Sequence, residues 1–151
     1  MPGARAARSS RHCRLSVNQD AVNEMFRLAR RADHRELRKW LHDDVTWHPA
    51  SKAKWKPCTT ADEVVRTMLW RAEANRLRPG EMIELGDRVL VQLRGRRLER
   101  LGARGLVPRL FQIFVLRDGK VVSIQDYGRR EEAHGAVGLK PSRGQAPDVH
   151  R

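Results

Sequence analysis

Apolar residues recur at helical spacing in three segments of the first half of the chain. A capping box that begins at Ser16 predicts the start of one helix, because side chains at this spacing satisfy the backbone N–H groups of a first turn. A second box, at Asp33, predicts a shorter helix that ends at Asp43-Asp44. A third, at Thr60, predicts a helix that ends before Pro79-Gly80. The predicted apolar faces are Val22, Met25, Phe26 and Ala29; Leu37, Trp40 and Leu41; and Val64, Val65, Met68, Leu69 and Ala72.

Beyond the third helix the apolar period changes to two, which predicts strands. Gly86-Asp87 and Asp118-Gly119 are typical hairpin turns, so the strands around each of them should pair antiparallel. Pro49, which lacks a ladder donor, should end a short strand that precedes the third helix. The predicted strands are residues 45–48, 82–85, 89–93, 107–117 and 120–127, and a closing helix is predicted at 129–137.

Helices on one side of a single antiparallel sheet predict an α+β domain. A curved sheet of about five strands, closed by the N-terminal helices, would wrap around a conical pocket. The 151-residue length suits one domain. We expect a disordered basic segment at residues 1–17, the α+β barrel domain at 18–139, and a disordered tail at 140–151.

The net charge of +13 suggests nucleic-acid binding at first sight. Its distribution argues against that interpretation, because the excess lies in residues 1–17, in the Arg-rich segment 94–109 and in the tail, while the rest of the chain is nearly balanced. Nucleic acid is therefore the less favoured partner. The sequence shows no membrane-length apolar run and no secretory signal, so we expect a cytoplasmic protein that makes no membrane contact.

Metal and cofactor motifs are absent from the sequence. Cys13 and Cys58 have no metal-ligand spacing, and we expect both to be reduced. No metal triad, phosphate loop or nucleophile elbow occurs. We therefore predict neither a metal site nor a cofactor.

Four segments together carry a family resemblance: LHDDVTWHPA, TADEVVRTML, LFQIFVLRDGKVVSIQDYG and RREEAHGAVGL. Their order resembles the SnoaL-like branch of the nuclear transport factor two-like superfamily, over about residues 18–139. The resemblance implies a cone-shaped α+β barrel with a pocket between the long helix and the concave sheet, often in a homodimer formed through the outer sheet faces. It does not fix an activity, because this superfamily includes isomerases, cyclases, epoxide hydrolases and members that only bind.

Asp126 is the candidate base in this pocket. Strand alternation puts it with Val122 and Ile124 on one face and Val121, Ser123, Gln125 and Tyr127 on the other. Desolvation at the end of an apolar wall would make its carboxylate a better proton acceptor. The resemblance implies the same role, since an acid on the last strand is the base in SnoaL-like cyclases. The alternative is a structural Asp126 that pairs with an arginine such as Arg129 or caps the final helix.

His48 and Gln112 occupy positions where ketosteroid isomerases carry acids, so steroid isomerisation by that mechanism is disfavoured. His48 could still exchange a proton near neutral pH. Gln112 could donate to a carbonyl or enolate oxygen, or be a satisfied core or outward-facing glutamine. Limonene-type epoxide hydrolysis requires an acid two residues after an arginine. Arg109 is followed at that distance by Phe111, so this chemistry is also disfavoured.

Trp47, Phe26 and Phe114 are the expected apolar ligand contacts. The leading hypothesis is a pocket protein for a hydrophobic carbonyl-bearing molecule, with cofactor-free proton transfer of the isomerase or cyclase (lyase) type by Asp126 and His48. Two alternatives stay open: a non-catalytic binding or dimerisation module, and nucleic-acid binding through segment 94–109.

Overall fold

The computed structural model describes residues 17–50, 56–95 and 110–139. The helices are α1 at residues 17–30, α2 at His34–Arg38, α3 at Ala61–Asn75 and α4 at Arg130–Ala136. The strands are β1 at Leu41–His48, β2 at Arg78–Leu85, β3 at Arg88–Arg94, β4 at Leu110–Arg117 and β5 at Lys120–Tyr127. The residues outside the described ranges include Cys13, Ser16, Arg109, most of the Arg-rich segment and the predicted tail.

Local side-chain chemistry fixes where the helices begin. The Asp33 carboxylate accepts from the backbone N–H of Glu36 at the start of α2, and the Thr60 hydroxyl accepts from that of Glu63 at the start of α3. Glu63 Oε2 in turn accepts from the backbone N–H of Thr59 at 3.1 Å. The predicted caps at Asp33 and Thr60 are therefore confirmed.

The five strands form one curved, unclosed sheet in the order β1-β5-β4-β3-β2. The two predicted hairpins are confirmed: β2 pairs antiparallel with β3, and β4 with β5. Asp118 and Gly119 both have positive φ, at 53° and 78°, which a type I′ turn requires. The prediction of a wholly antiparallel sheet was wrong, because β1 pairs parallel with β5.

Strand β1 begins earlier than the sequence pattern predicted. Helix α2 ends at Arg38, and Leu41 already pairs with Val121 in the sheet instead of extending the helix. The pairing then shifts, so that Thr46 is the next partnered residue, opposite Ser123. The shift leaves an irregular stretch with two exposed acids, Asp43 and Asp44, which look like a helix end because they break strand alternation.

Helices α1, α2 and α3 pack on one face of the sheet, and α4 packs on the other. On the inner face, α1 and α3 pack against alternating residues of β3 and β4 and against Val121 and Ile124 of β5. On the outer face, α4 buries Ala133 against Leu90, Phe111 and Ile113. Its Arg130 lies over the Phe111 ring at 5.6 Å. The α+β class and the curved sheet closed by N-terminal helices are thus confirmed.

A bulge in β5 changes which residues face the helices. Pairing shifts between Leu116 opposite Val121 and Val115 opposite Ser123, so Val122 is the extra residue. Val121 and Ile124 both belong to the inner core. The expectation that Val122 shares the inner face with Asp126 was therefore wrong, because strict alternation does not hold across a bulge.

Candidate functional site

Asp126 lies at the centre of a buried polar network. The residue is 2% exposed. Oδ1 accepts from Trp47 Nε1 and from Gln112 Nε2, each at 2.9 Å, and Oδ2 accepts from Arg71 Nη2 at 3.0 Å. Three donors from β1, β4 and α3 thus fill most of the acceptor capacity of one carboxylate. Asp126 pairs with an arginine, as the structural alternative required, but with Arg71 instead of Arg129.

Arg71 is the site residue that sequence reasoning missed. It follows Val64 by seven residues and Met68 by three, so helical spacing puts it on the inward face of α3. That spacing was the available signal. The guanidinium carbon lies 4.7 Å from the centroid of the Trp47 ring, and the side chain is 16% exposed. Its Nη1 is buried without a hydrogen-bond partner among the described residues.

The interior of the cone is packed with side chains. Phe26 and Phe114 meet edge to face, with ring centroids 5.9 Å apart, and both are buried. A void of about 10 Å³ lies beside Phe26, Trp47 and Gln112, at most the space of one water. Phe26, Phe114 and Gln112 therefore lie in or beside a closed core, and the Gln112 amide donates to Asp126.

His48 lies on the other face of the sheet. Burial along β1 alternates so that Val45 and Trp47 face the core, whereas Thr46 and His48 are half-buried on the opposite side. His48 pairs with Gln125, the residue before Asp126, and successive side chains of a strand point to opposite faces. The structure therefore does not bring His48 and Asp126 together.

A cavity of about 470 Å³ lies beside this network, outside the packed cone. We call it the α3 cleft. Its lining includes Trp47, Pro49 and Cys58 on the β1 side and Thr67, Trp70 and Arg71 on α3. The volume lies within the range typical of small-molecule sites. Asp126 is not among the described residues that line either this cleft or the void, since Trp47 and Arg71 stand in between.

The β1 wall of the cleft is held by backbone pairing. Trp47 and Cys58 exchange two N–H···O bonds, each 2.9 Å long, which form an isolated antiparallel bridge. The Cys58 thiol is free, and its Sγ lies 3.4 Å from Thr67 Oγ1. Because the Thr67 hydroxyl donates to Glu63 O at 2.8 Å, its oxygen is left to accept from the thiol. This contact ties the wall to α3.

Charged side chains around the cleft are mostly cationic. Lys56 and Arg66 are exposed lining residues, and Arg71 is the inner one. Glu63 supplies the acidic group, and its carboxylate is engaged by the start of α3. In the ranges that the structure covers, no three His, Cys, Asp or Glu side chains converge as a metal site would require. No helix within those ranges is long and apolar enough to cross a membrane.

The family model described as SnoaL-like domain matches residues 22–124, about two thirds of the chain. The chain belongs to the SnoaL-like domain family. This confirms the resemblance seen in the sequence. No curated protein matches the chain.

Solved structures similar to this SnoaL-like chain share its fold at low identity. One is a putative polyketide cyclase from Sinorhizobium meliloti, with 19% identity, 71% of this chain and 93% of that chain covered, and a TM-score of 0.52. Another is an M. tuberculosis LEH-like epoxide hydrolase, with 15% identity, coverages of 74% and 82%, and a TM-score of 0.52. A third is TerC co-crystallised with polyporic acid, with 18% identity, coverages of 81% and 98%, and a TM-score of 0.53.

Proposed function

We propose that this SnoaL-like protein binds a hydrophobic, carbonyl-bearing small molecule in the α3 cleft and serves as a binding protein. The observation that carries the proposal is a cavity of about 470 Å³ with aromatic walls and an arginine at its inner end. Large apolar surface supplies affinity in such sites, and a few fixed polar groups orient the ligand. Trp70, which is 49% exposed, would supply most of this surface, with Trp47, which is 4% exposed, behind it. An N–H of Arg71 would donate to the carbonyl oxygen.

Arg71 suits this role because it is held in place before a ligand arrives. Asp126 fixes one side of the guanidinium, and the Trp47 ring packs against its face. A preorganised donor loses little conformational freedom on binding. The co-crystallisation of TerC with polyporic acid supports the view that this fold can hold aromatic carbonyl compounds.

Cofactor-free proton transfer with Asp126 as base and His48 as partner stays a prediction, and the geometry supports it less than binding. A general base must reach the proton that it removes. Asp126 already accepts from Trp47, Gln112 and Arg71. His48 lies on the opposite sheet face. A homodimer and a cytoplasmic location likewise stay predictions.

The proposal is tested by titrating the protein with 2-acetylnaphthalene in a calorimeter. We expect saturable 1:1 binding, and Trp70→Ala should weaken it about tenfold because it removes an aromatic wall. Trp70 is 49% exposed, so the substitution should leave the fold intact. Val17→Ala is the matched control, since Val17 is a similarly exposed apolar residue, at 52%, and is not among the lining residues of the cleft.

Two outcomes would contradict the proposal. One is that the natural chain shows no saturable binding of either this probe or its carboxylate analogue, 2-naphthoate. The other is that Trp70→Ala binds as tightly as Val17→Ala does.

A further inference from the structure

Positive charge is in excess among the side chains that line the α3 cleft. Lys56 and Arg66 are exposed lining residues, and neither forms an ion pair within residues 17–50, 56–95 and 110–139. Glu63 carries the opposing charge, but its Oε2 accepts from the Thr59 backbone N–H, and it lies in the first turn of α3, where a carboxylate is stabilised. The cations of the cleft therefore remain available to an incoming anion.

Arg71, which lines both the cleft and the small inner void, has a donor that no described residue uses. A guanidinium has five N–H donors, and Arg71 gives one nitrogen, Nη2, to Asp126. Its Nη1 finds no acceptor in the part of the chain that the structure describes. A buried donor without a partner costs free energy, and a planar guanidinium matches the two oxygens of a carboxylate. Arg71 lines the cleft and its side chain is 16% exposed, so a ligand carboxylate there would give the guanidinium a second charge partner. Nη1 itself is buried, so the side chain would shift slightly to reach the ligand.

The apolar walls determine the rest of the ligand. Trp47 and Trp70 line the same cleft as the cations, together with Pro49 and Pro57. Flat aromatic surface next to cationic groups favours a planar, apolar body that bears a negative charge. A neutral ketone would use the walls but not the outer cations, and a small inorganic anion would use the cations but not the walls.

We infer that the ligand of the α3 cleft is an aromatic carboxylate, seated with its ring system against Trp47 and Trp70 and its charge toward Arg71, Arg66 and Lys56. This inference rests on the proposed function and narrows it from carbonyl compounds in general to aromatic acids. Asp126 then acts as a positioning residue, which holds Arg71 at the inner end of the cleft.

The test compares 2-naphthoate with 2-acetylnaphthalene, which share one ring system and differ in charge. Calorimetry at low salt should show naphthoate binding about tenfold more tightly, with a preference that shrinks as salt is added. In the double variant Lys56→Glu/Arg66→Glu, the ratio of the two affinities should fall toward one. Both residues are exposed, so this variant should fold.

The matched control is Arg117→Glu/Lys120→Glu, which makes the same change of net charge at the β4–β5 turn. Arg117 and Lys120 are cross-strand neighbours where β4 turns into β5. His48 pairs with Gln125 near the other end of β5, so the control lies far from that end of β1. The control should keep the naphthoate preference of the natural chain.

The possible outcomes separate the aromatic-acid inference from the proposed function on which it rests. Equal binding of both probes, or a preference that survives in Lys56→Glu/Arg66→Glu, overturns the aromatic-acid inference and leaves the proposed function standing. If neither probe binds, the proposed function fails and the inference fails with it.

Discussion

Asp126 shows how one buried residue can have a structural role where chemistry was expected. Its side chain in the ion pair is 1% exposed, and its three donors come from three separate elements. A carboxylate out of water needs such partners, because charge burial without them is costly. The network joins β1, β4 and α3 at the point where the cone meets the cleft.

Asp126→Asn should destabilise the fold by about 3 kcal/mol, because it leaves the Arg71 charge buried without its counter-ion. Urea unfolding followed by circular dichroism measures the loss. Asp43→Asn is the matched control: Asp43 also pairs with an arginine, Arg38 at 2.6 Å, but its side chain is 87% exposed, so the loss should be much smaller. Equal losses in the two variants would contradict the structural role of Asp126.

The sequence predicted part of this network and not the rest. Trp47 was expected as an apolar ligand contact, and strand alternation singled out Asp126 as an acid on an apolar strand face. Arg71 was missed although its spacing from Val64 and Met68 indicates the inward face of α3. A single charged residue next to an apolar helix face is usually assigned to the solvent-exposed edge of that face. The pairing of Asp126 with Arg71 joins residues 55 apart in the chain, and no local pattern encodes it.

At the scale of elements, α3 positions most of the proposed site. Its inward face packs on the sheet, and its first turns and middle supply Glu63, Arg66, Thr67, Trp70 and Arg71 to the cleft. The Thr60 cap fixes the start of the helix, which ends at Asn75 and is followed by the C-cap Arg76, whose φ is 49°. The start of α3 therefore influences both stability and the geometry of the cleft.

Thr60→Ala should lower the free energy of unfolding by about 1 kcal/mol, because the backbone N–H of Glu63 loses its acceptor. Thermal and urea unfolding measure the change. Thr59→Ala is the matched control, since at Thr59 the backbone N–H and not the hydroxyl contacts Glu63. If both variants lose the same stability, the hydroxyl of Thr60 does not cap the helix as described.

The helices and hairpins were largely predictable because capping residues and turn residues act locally. Residues 120–127 were predicted as a strand and form β5. The start of β1 was not predictable in the same way. Leu41 enters the sheet through pairing with Val121, eighty positions away, whereas Asp43 and Asp44 resemble a helix end.

Across the whole molecule, a ligand could lie either inside the cone or in the α3 cleft, and side chains of this protein fill the cone. Phe26, Phe114 and Met68 occupy the cone interior, and the remaining void holds about 10 Å³. The larger space lies between β1 and α3. The family and the cone could be recognised from the order of elements, but side-chain packing inside the cone depends on contacts between distant segments and required a structure.

We place the ligand site in the α3 cleft and not in the cone interior. A crystal structure of the full chain with 2-naphthoate would distinguish these two sites. We expect density for the ring system between Trp47 and Trp70, with the carboxylate beside Arg71 and the Arg71–Asp126 pair intact. Density inside the cone, with Phe26 and Phe114 moved apart and the probe in contact with Asp126, would contradict it.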